Sequence, residues 1–174
     1  MGNTIRMHEE HKNNNEWLRM SNGGASVFLT LLVLSGSRIA KSKREKELII
    51  WLAEQDQNTV GLGTIGFDIS EMPWTKNDFK SEKEFLVKVI EGAFANTGWE
   101  TLDYEPDKDL VFGFLSTFQK LVEGFQEEFI IENSYREWIE LIDDPQCGIP
   151  KGMPKCSKHG VYLYYGGCIA CNDT

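Results

Sequence analysis

No cysteine occurs before Cys147, so most of the chain carries no disulfide staple and has to hold itself together by burial. No apolar run approaches the roughly 20 residues a helix needs to span a bilayer. The longest, Val27 to Leu34, is interrupted by Thr30. Small residues follow it at Ser35, Gly36 and Ser37, as in a secretory signal, but Glu9, Glu10 and Glu16 lie where such a signal is basic. The expectation is a cytoplasmic chain with reduced thiols and no membrane association. Histidine is scarce, with only His8, His11 and His159. No set of base, nucleophile and oxyanion donor can be assembled from the sequence, and no repeat or low-complexity tract is present.

Positive charge is also in short supply. Lys and Arg number 18 against 27 Asp and Glu, giving a net charge of −9 and a pI near 4.9. From Glu100 to Asp144 thirteen acidic residues face only Lys108, Lys120 and Arg136, so this stretch carries −10 by itself. Such a surface repels phosphate backbones and attracts basic proteins, although a like-signed block is also simply a solvated face.

What is present is a globular composition, 41% hydrophobic and 11% aromatic, enough for a folded core. Residues 1–24 read as a polar N-terminal arm, frayed or forming a short helix that Asn22-Gly23-Gly24 would end. Residues 25–144 read as a helical domain. Val27 to Leu34 is a buried element whose period does not separate helix from strand, with helix preferred from its context and Ser35-Gly36-Ser37 as its break. A helix is expected from Lys41 to Gln57, and a short strand near Ile65 to Ile69 before Pro73. Ser81-Glu82-Lys83-Glu84 has the form of a capping box. Behind it Phe85, Leu86, Val89, Ile90, Ala93 and Phe94 share one helical face, and Gly98 is placed to end that helix. A second clear helix runs from Lys108 to Phe125. A third runs from Glu127 to Ile142, with a break near Asn133-Ser134. Residues 145–155 form a linker rich in Pro and Gly.

The chemistry is concentrated in residues 156–174. Cys156-Ser157-Lys158-His159 and Cys168-Ile169-Ala170-Cys171 are two C-x2-[H/C] pairs separated by eight residues. Each pair can grip one ion from a single tight turn, and thiolate sulfur with imidazole nitrogen is the ligand set of tetrahedral zinc. Gly160 and Asn172 follow the pairs, where left-handed backbone is expected. Val161 to Tyr165 is rich in strand formers that can fold one pair back on the other. Over these sixteen residues the segment resembles the knuckles of zinc-ribbon and treble-clef fingers, which implies a shared way of holding metal and no particular function. Four protein ligands leave no open position, so a structural Zn2+ is expected. A redox reading of Cys168 and Cys171 would need a βαβ setting that is lacking. Cys147 reads as an idle or buried thiol rather than a substitute for His159.

Weaker patterns have simpler readings. Gly61-Leu62-Gly63-Thr64-Ile65-Gly66 matches a dinucleotide fingerprint, but a helix precedes it and none opens at it. His8-Glu9-Glu10-His11 reads as a polar arm. Arg38, Lys41, Lys43, Arg44 and Lys46 are interleaved with Glu45 and Glu47 and read as a solvated helix start. Asp68, Glu71 and Trp74 lack partners for catalysis, and the stripe Phe112, Phe114, Phe118, Phe125 and Phe129 reads as core. The fold class expected is mainly α, a compact helical domain with a small zinc-ribbon or treble-clef-like knuckle at the C-terminus. The leading functional expectation is a non-enzymatic protein-binding module, such as an adaptor, inhibitor or immunity-type protein, which meets a basic protein partner through Glu127, Glu128 and Glu132. The alternatives are a nucleic-acid-binding regulator using the knuckle and the 38–46 cluster, a reading the acidic balance makes less favourable, and an enzyme with chemistry between Gly61 and Trp74.

Overall fold

The computed structural model describes residues 3–7, 17–56 and 66–172. These are mainly helical, with a small three-stranded sheet at one end. The helices are α1 (Asn22–Ile39), α2 (Lys43–Glu54), α3 (Phe79–Phe94), α4 (Lys108–Gly124), α5 (Ser134–Asp143) and the short α6 (Ile169–Asn172).

Helix α1 is the axis of the molecule. Its residues are buried without interruption from Phe28 to Ser37, and it packs against α2, α3, α4 and α6. A helix covered on all sides needs no polar stripe, which explains why Val27 to Leu34 shows no helical period. Two expectations change here. Asn22-Gly23-Gly24 begins this helix instead of ending an earlier one, because Ser21 at the N-cap accepts a hydrogen bond from the Gly24 amide at 3.1 Å. Ser35-Gly36-Ser37 does not break it. An added Cβ at Gly36 would lie 2.1 Å from Cδ1 of Ile49, so glycine permits the close crossing of α1 and α2. Ser35 Oγ donates to the Val89 carbonyl of α3 at 2.7 Å. Small residues that look like a stop are the contact surface of a central helix.

The N-terminal arm likewise differs from expectation. Strand β1 (Asn3–Arg6) pairs antiparallel with β2 (Leu18–Met20) and parallel with β3 (Phe67–Asp68). Ile5 sits opposite both Leu18 and Phe67 and is fully buried. Phe67 meets the Trp51 ring of α2 edge-on, with centroids 4.9 Å apart. The alternation Ile5, Met7 and Leu18, Met20 is too brief to stand out in a polar segment, yet it supplies one apolar face to the sheet.

Helix α2 starts two residues later than the expected Lys41, at a capping box made by Ser42 and Glu45, and ends at Glu54 rather than Gln57. The box expected at Ser81 to Glu84 does not form. Helix α3 already begins at Phe79, Ser81 Oγ donates to the Asp78 carbonyl, and Glu82 turns inward. Its end comes before Gly98, at Ala95, with Asn96 and Gly98 both in left-handed backbone. Helix α4 follows its expected span, and Lys83 of α3 donates to the carbonyls of Glu123 and Phe125 at its C-terminus. The stretch after it is a 3-10 turn (Glu127–Phe129) followed by α5, with the interruption at Asn133. Phe118 and Phe125 are buried, Phe112, Phe114 and Phe129 pack against the same core, and Trp74 stacks on Phe125 at 5.2 Å. No helix among the described residues is long and apolar enough to cross a membrane.

Candidate metal centre

The knuckle begins where Lys155 bridges to Tyr162 across an antiparallel turn. The Cys156 amide donates to the Val161 carbonyl and the Gly160 amide to the Cys156 carbonyl, each at 2.8 Å. Gly160 takes φ of 68°, the left-handed value expected of it. The chain then reverses again through the mutual Tyr164–Gly167 bridge, where Gly167 has φ of 88°. Tyr164 is fully buried, and its ring lies so close to Gly166 that a Cβ there would approach within 2.7 Å. Asn172 departs from expectation. It ends α6 without left-handed backbone, and its side-chain amide instead donates to the Gly166 carbonyl and Tyr164 hydroxyl. The left-handed role falls to Gly167.

These turns bring Cys156, His159, Cys168 and Cys171 together, with all four ligand atoms within 4.8 Å of one another. Nδ1 of His159 lies 3.7, 3.5 and 3.4 Å from the sulfurs of Cys156, Cys168 and Cys171, and Sγ of Cys156 lies 3.8 Å from that of Cys171. A tetrahedral ion bonded at about 2.3 Å to sulfur and about 2.0 Å to nitrogen would space its ligands by about 3.8 Å (S to S) and about 3.5 Å (S to N). The observed separations agree, whereas a disulfide would need sulfurs near 2.05 Å. All the cysteines are free thiols.

The electrostatics suit metal uptake. Burial raises the Cys156 thiol, but hydrogen bonds from the His159 amide and ring and the Lys158 amide outweigh it and bring its pKa to about 6. Burial pushes Cys168 up to about 12, against the opposing hydrogen bond from the Cys171 amide. The two thiols thus differ in how readily they ionise, Cys156 more easily and Cys168 less easily than a free cysteine. His159 is buried with Nδ1 turned to the three sulfurs, while its Nε2 has no hydrogen-bond partner among the described residues.

Basic residues fasten this centre to the body. Arg38 donates to the carbonyls of Leu34 and His159 at 3.0 and 3.1 Å, bridging α1 to the ligand turn. Lys155 Nζ donates to the Ser37 carbonyl, and the Tyr162 amide to the Ser37 hydroxyl. Lys158 pairs with Asp103 at 2.8 Å on the surface. Val161, Tyr164, Ile169 and Ala170 join the same core as α1. Cys147 lies outside the cluster, in a turn where its thiol meets the Ile142 carbonyl and the Ile149 amide.

The other candidates are dispersed. Arg38 and Arg44 of the basic cluster face inward, while Lys41 and Lys43 are exposed. Arg44 is the centre of a polar network that spacing along the chain does not reveal. It donates to Glu82 at 2.7 Å, to Glu47 at 3.2 Å and to the Pro73 carbonyl, and lies 4.0 Å over the Tyr135 ring. Glu47 and Glu82 are both buried. Only the Arg44–Glu47 spacing along α2 hints at this, since Glu82 and Tyr135 arrive from α3 and α5. Asp68 and Glu71 form a capping box around a 3-10 turn, and Trp74 donates to the Ile69 carbonyl, so that group is structural. The glycine motif lies outside the described residues except Gly66, after which come β3 and the 3-10 turn rather than a helix. His8 to His11 also lies outside them. Glu127, Glu128 and Glu132 are exposed.

No family model, curated protein or solved structure matches this chain. The reading of the site therefore rests on its geometry.

Proposed function

We propose that the chain is a non-enzymatic protein-binding module, cytoplasmic, in which a structural zinc ion closes a knuckle of the zinc-ribbon or treble-clef kind and an acidic helical surface docks a basic protein. Three sulfurs and one nitrogen favour Zn2+ among common cellular cations, and four protein ligands leave no coordination position for substrate. Reduced thiols suit such a site in the cytoplasm.

The observation that carries the docking role is the surface after α4. Glu127, Glu128 and Glu132 are exposed, and Ile131, next to Glu132 in the chain, is 48% exposed. Glu137, Glu140 and Asp144 continue the acidic surface along α5 beside Leu141, which is 66% exposed. Exposed apolar side chains in an acidic stretch are suited to a partner with Lys or Arg around an aliphatic patch.

Capture from a cell extract at low and high salt, with metal quantified on the same protein, tests both halves. The expected result is one zinc per chain and a protein partner lost as salt rises. Glu127→Lys, Glu128→Lys and Glu132→Lys together should weaken that partner at least tenfold and flatten its salt dependence. Unchanged affinity in this triple variant would remove the surface from consideration. The nucleic-acid alternative draws less support, because Arg38, Arg44, Lys155 and Lys158 are engaged in contacts within the chain. Retention on DNA at physiological salt would favour it.

A further inference from the structure

A cleft lies between α2, α5 and the loop 149–153. It encloses about 390 Å3 and its apolar wall is formed by Ile50, Ile139, Ile142, Ile149 and Met153. This falls within the range of small-molecule pockets and exceeds what a packing defect leaves.

Its polar groups are few and specific. Glu47 contributes to the lining, but its carboxylate is turned to Arg44 at 3.2 Å, a cation it shares with Glu82, and to the Tyr135 hydroxyl at 3.0 Å, so its hydrogen-bonding capacity is engaged inside the protein. Lys43 and Lys151 reach the same cleft, and neither forms an ion pair with any described residue. Both lysines are exposed to solvent, so an anionic group at the rim of the cleft can meet them without first breaking an ion pair. Asp143 is the one other ionisable group in the lining, at the end of α5.

The loop that closes the cleft is held in place. Gly148, Gly152 and Met153 all adopt left-handed backbone, at φ of 78°, 83° and 51°. Met153 is not a residue that takes this conformation readily, and its side chain is directed into the lining by it. Immediately beyond, the Leu163 amide donates to the Pro154 carbonyl and Lys155 is fixed to α1. The wall is therefore anchored by the metal knuckle.

We infer that this cleft binds a medium-chain aliphatic carboxylate, its chain among the isoleucines and Met153 and its head between Lys43 and Lys151. The two lysines have the wrong sign for the basic partner of the acidic surface, so this site is independent of that docking reading.

The test uses the full metal-loaded chain, titrated calorimetrically with octanoate, octanol and octylamine, with amide NMR shifts to locate binding. Octanoate should bind saturably with one site per chain, at least tenfold more tightly than octylamine, and its shifts should map to α2, α5 and 149–153. The Lys43→Met, Lys151→Met pair should weaken octanoate about tenfold and leave octanol unchanged, while Ile139→Trp should block both ligands. Both lysines are exposed, so the paired variant keeps the fold even if Ile139→Trp does not. Absence of saturable octanoate binding at millimolar concentration, equal binding of octylamine, or shifts mapping elsewhere would overturn the inference.

Discussion

Glu54, the last residue of α2, is held by burial at a pKa of about 7 instead of 4.5, against the lowering effect of a hydrogen bond from Trp138 Nε1 at 3.0 Å. The native carboxyl thus keeps its proton at pH values where the unfolded chain has lost it. Between pH 4.5 and about 7 the native state binds more protons, so stability falls as pH rises across that window. The contribution is whole below the unfolded value and lost above the folded one, on the order of 3 kcal/mol in total. Glu54→Gln should abolish it. The difference between wild-type and variant urea midpoints, followed from pH 4.5 to 8, should widen in favour of the variant, and a constant difference would refute the assignment. Taking the difference cancels the metal ligands, which titrate in both proteins. Arg44 poses the opposite problem. Arg44→Met would leave Glu47 and Glu82 buried without their shared cation, a loss of about 3–5 kcal/mol. Adding Glu82→Gln should recover part of it, measured as urea midpoints of the single and double variants.

At the scale of elements, α1 shows what local pattern can and cannot convey. The faces of α3 and α4 were legible because each is half-covered, so Phe85, Leu86, Val89 and Ile90, or Val111, Leu115, Phe118 and Val122, recur at helical spacing. Helix α1 is covered all round and loses that signal. Its Ser35, Gly36 and Ser37 look like a breaker because a short-range reading cannot see Ile49, Val89 and Tyr162 arriving to fill the space they leave. The short strand expected near Ile65 to Ile69 is present as β3, but β1 and β2 were missed for a related reason: β1 finds its parallel partner β3 more than sixty residues away, and neither β1 nor β2 is long enough to announce itself alone. Gly36→Ala should be destabilising by about 1–3 kcal/mol through its overlap with Ile49. Ile49→Ala alone should also destabilise, by leaving a cavity. The two together should cost less than the sum, because the new methyl group occupies space that the isoleucine vacates. Thermal midpoints of the three proteins check this, and strict additivity would show that the α1–α2 crossing is not the cause.

For the whole molecule, the candidate metal site was the most legible part of the chain, since Cys156, His159, Cys168 and Cys171 sit in two short pairs and local spacing alone nearly closes the cluster. What spacing did not disclose is its attachment. Arg38, Ser37 and Lys155 tie the ligand turns to α1, while Val161, Tyr164 and Ile169 belong to the same core as Phe28 and Leu32. A knuckle hung on a flexible tether would lose its metal without consequence for the helices. One that shares their core should not, because freeing the ion leaves a buried thiol and a buried imidazole and loosens the C-terminal end of α1. Binding an ion at a thousand times its dissociation constant adds about 4 kcal/mol to folding stability, and removal forfeits that amount from the entire cooperative unit. Chelation should therefore lower the single Tm by several degrees rather than produce a separate early transition. Cys171→Ser should reproduce the shift and lose bound metal, whereas Cys147→Ser should retain full stoichiometry. Calorimetry paired with metal analysis decides the matter: two resolved transitions after chelation would mean that the knuckle folds as an independent unit, and the contacts from Arg38 and Lys155 would then be too weak to couple it to the helices.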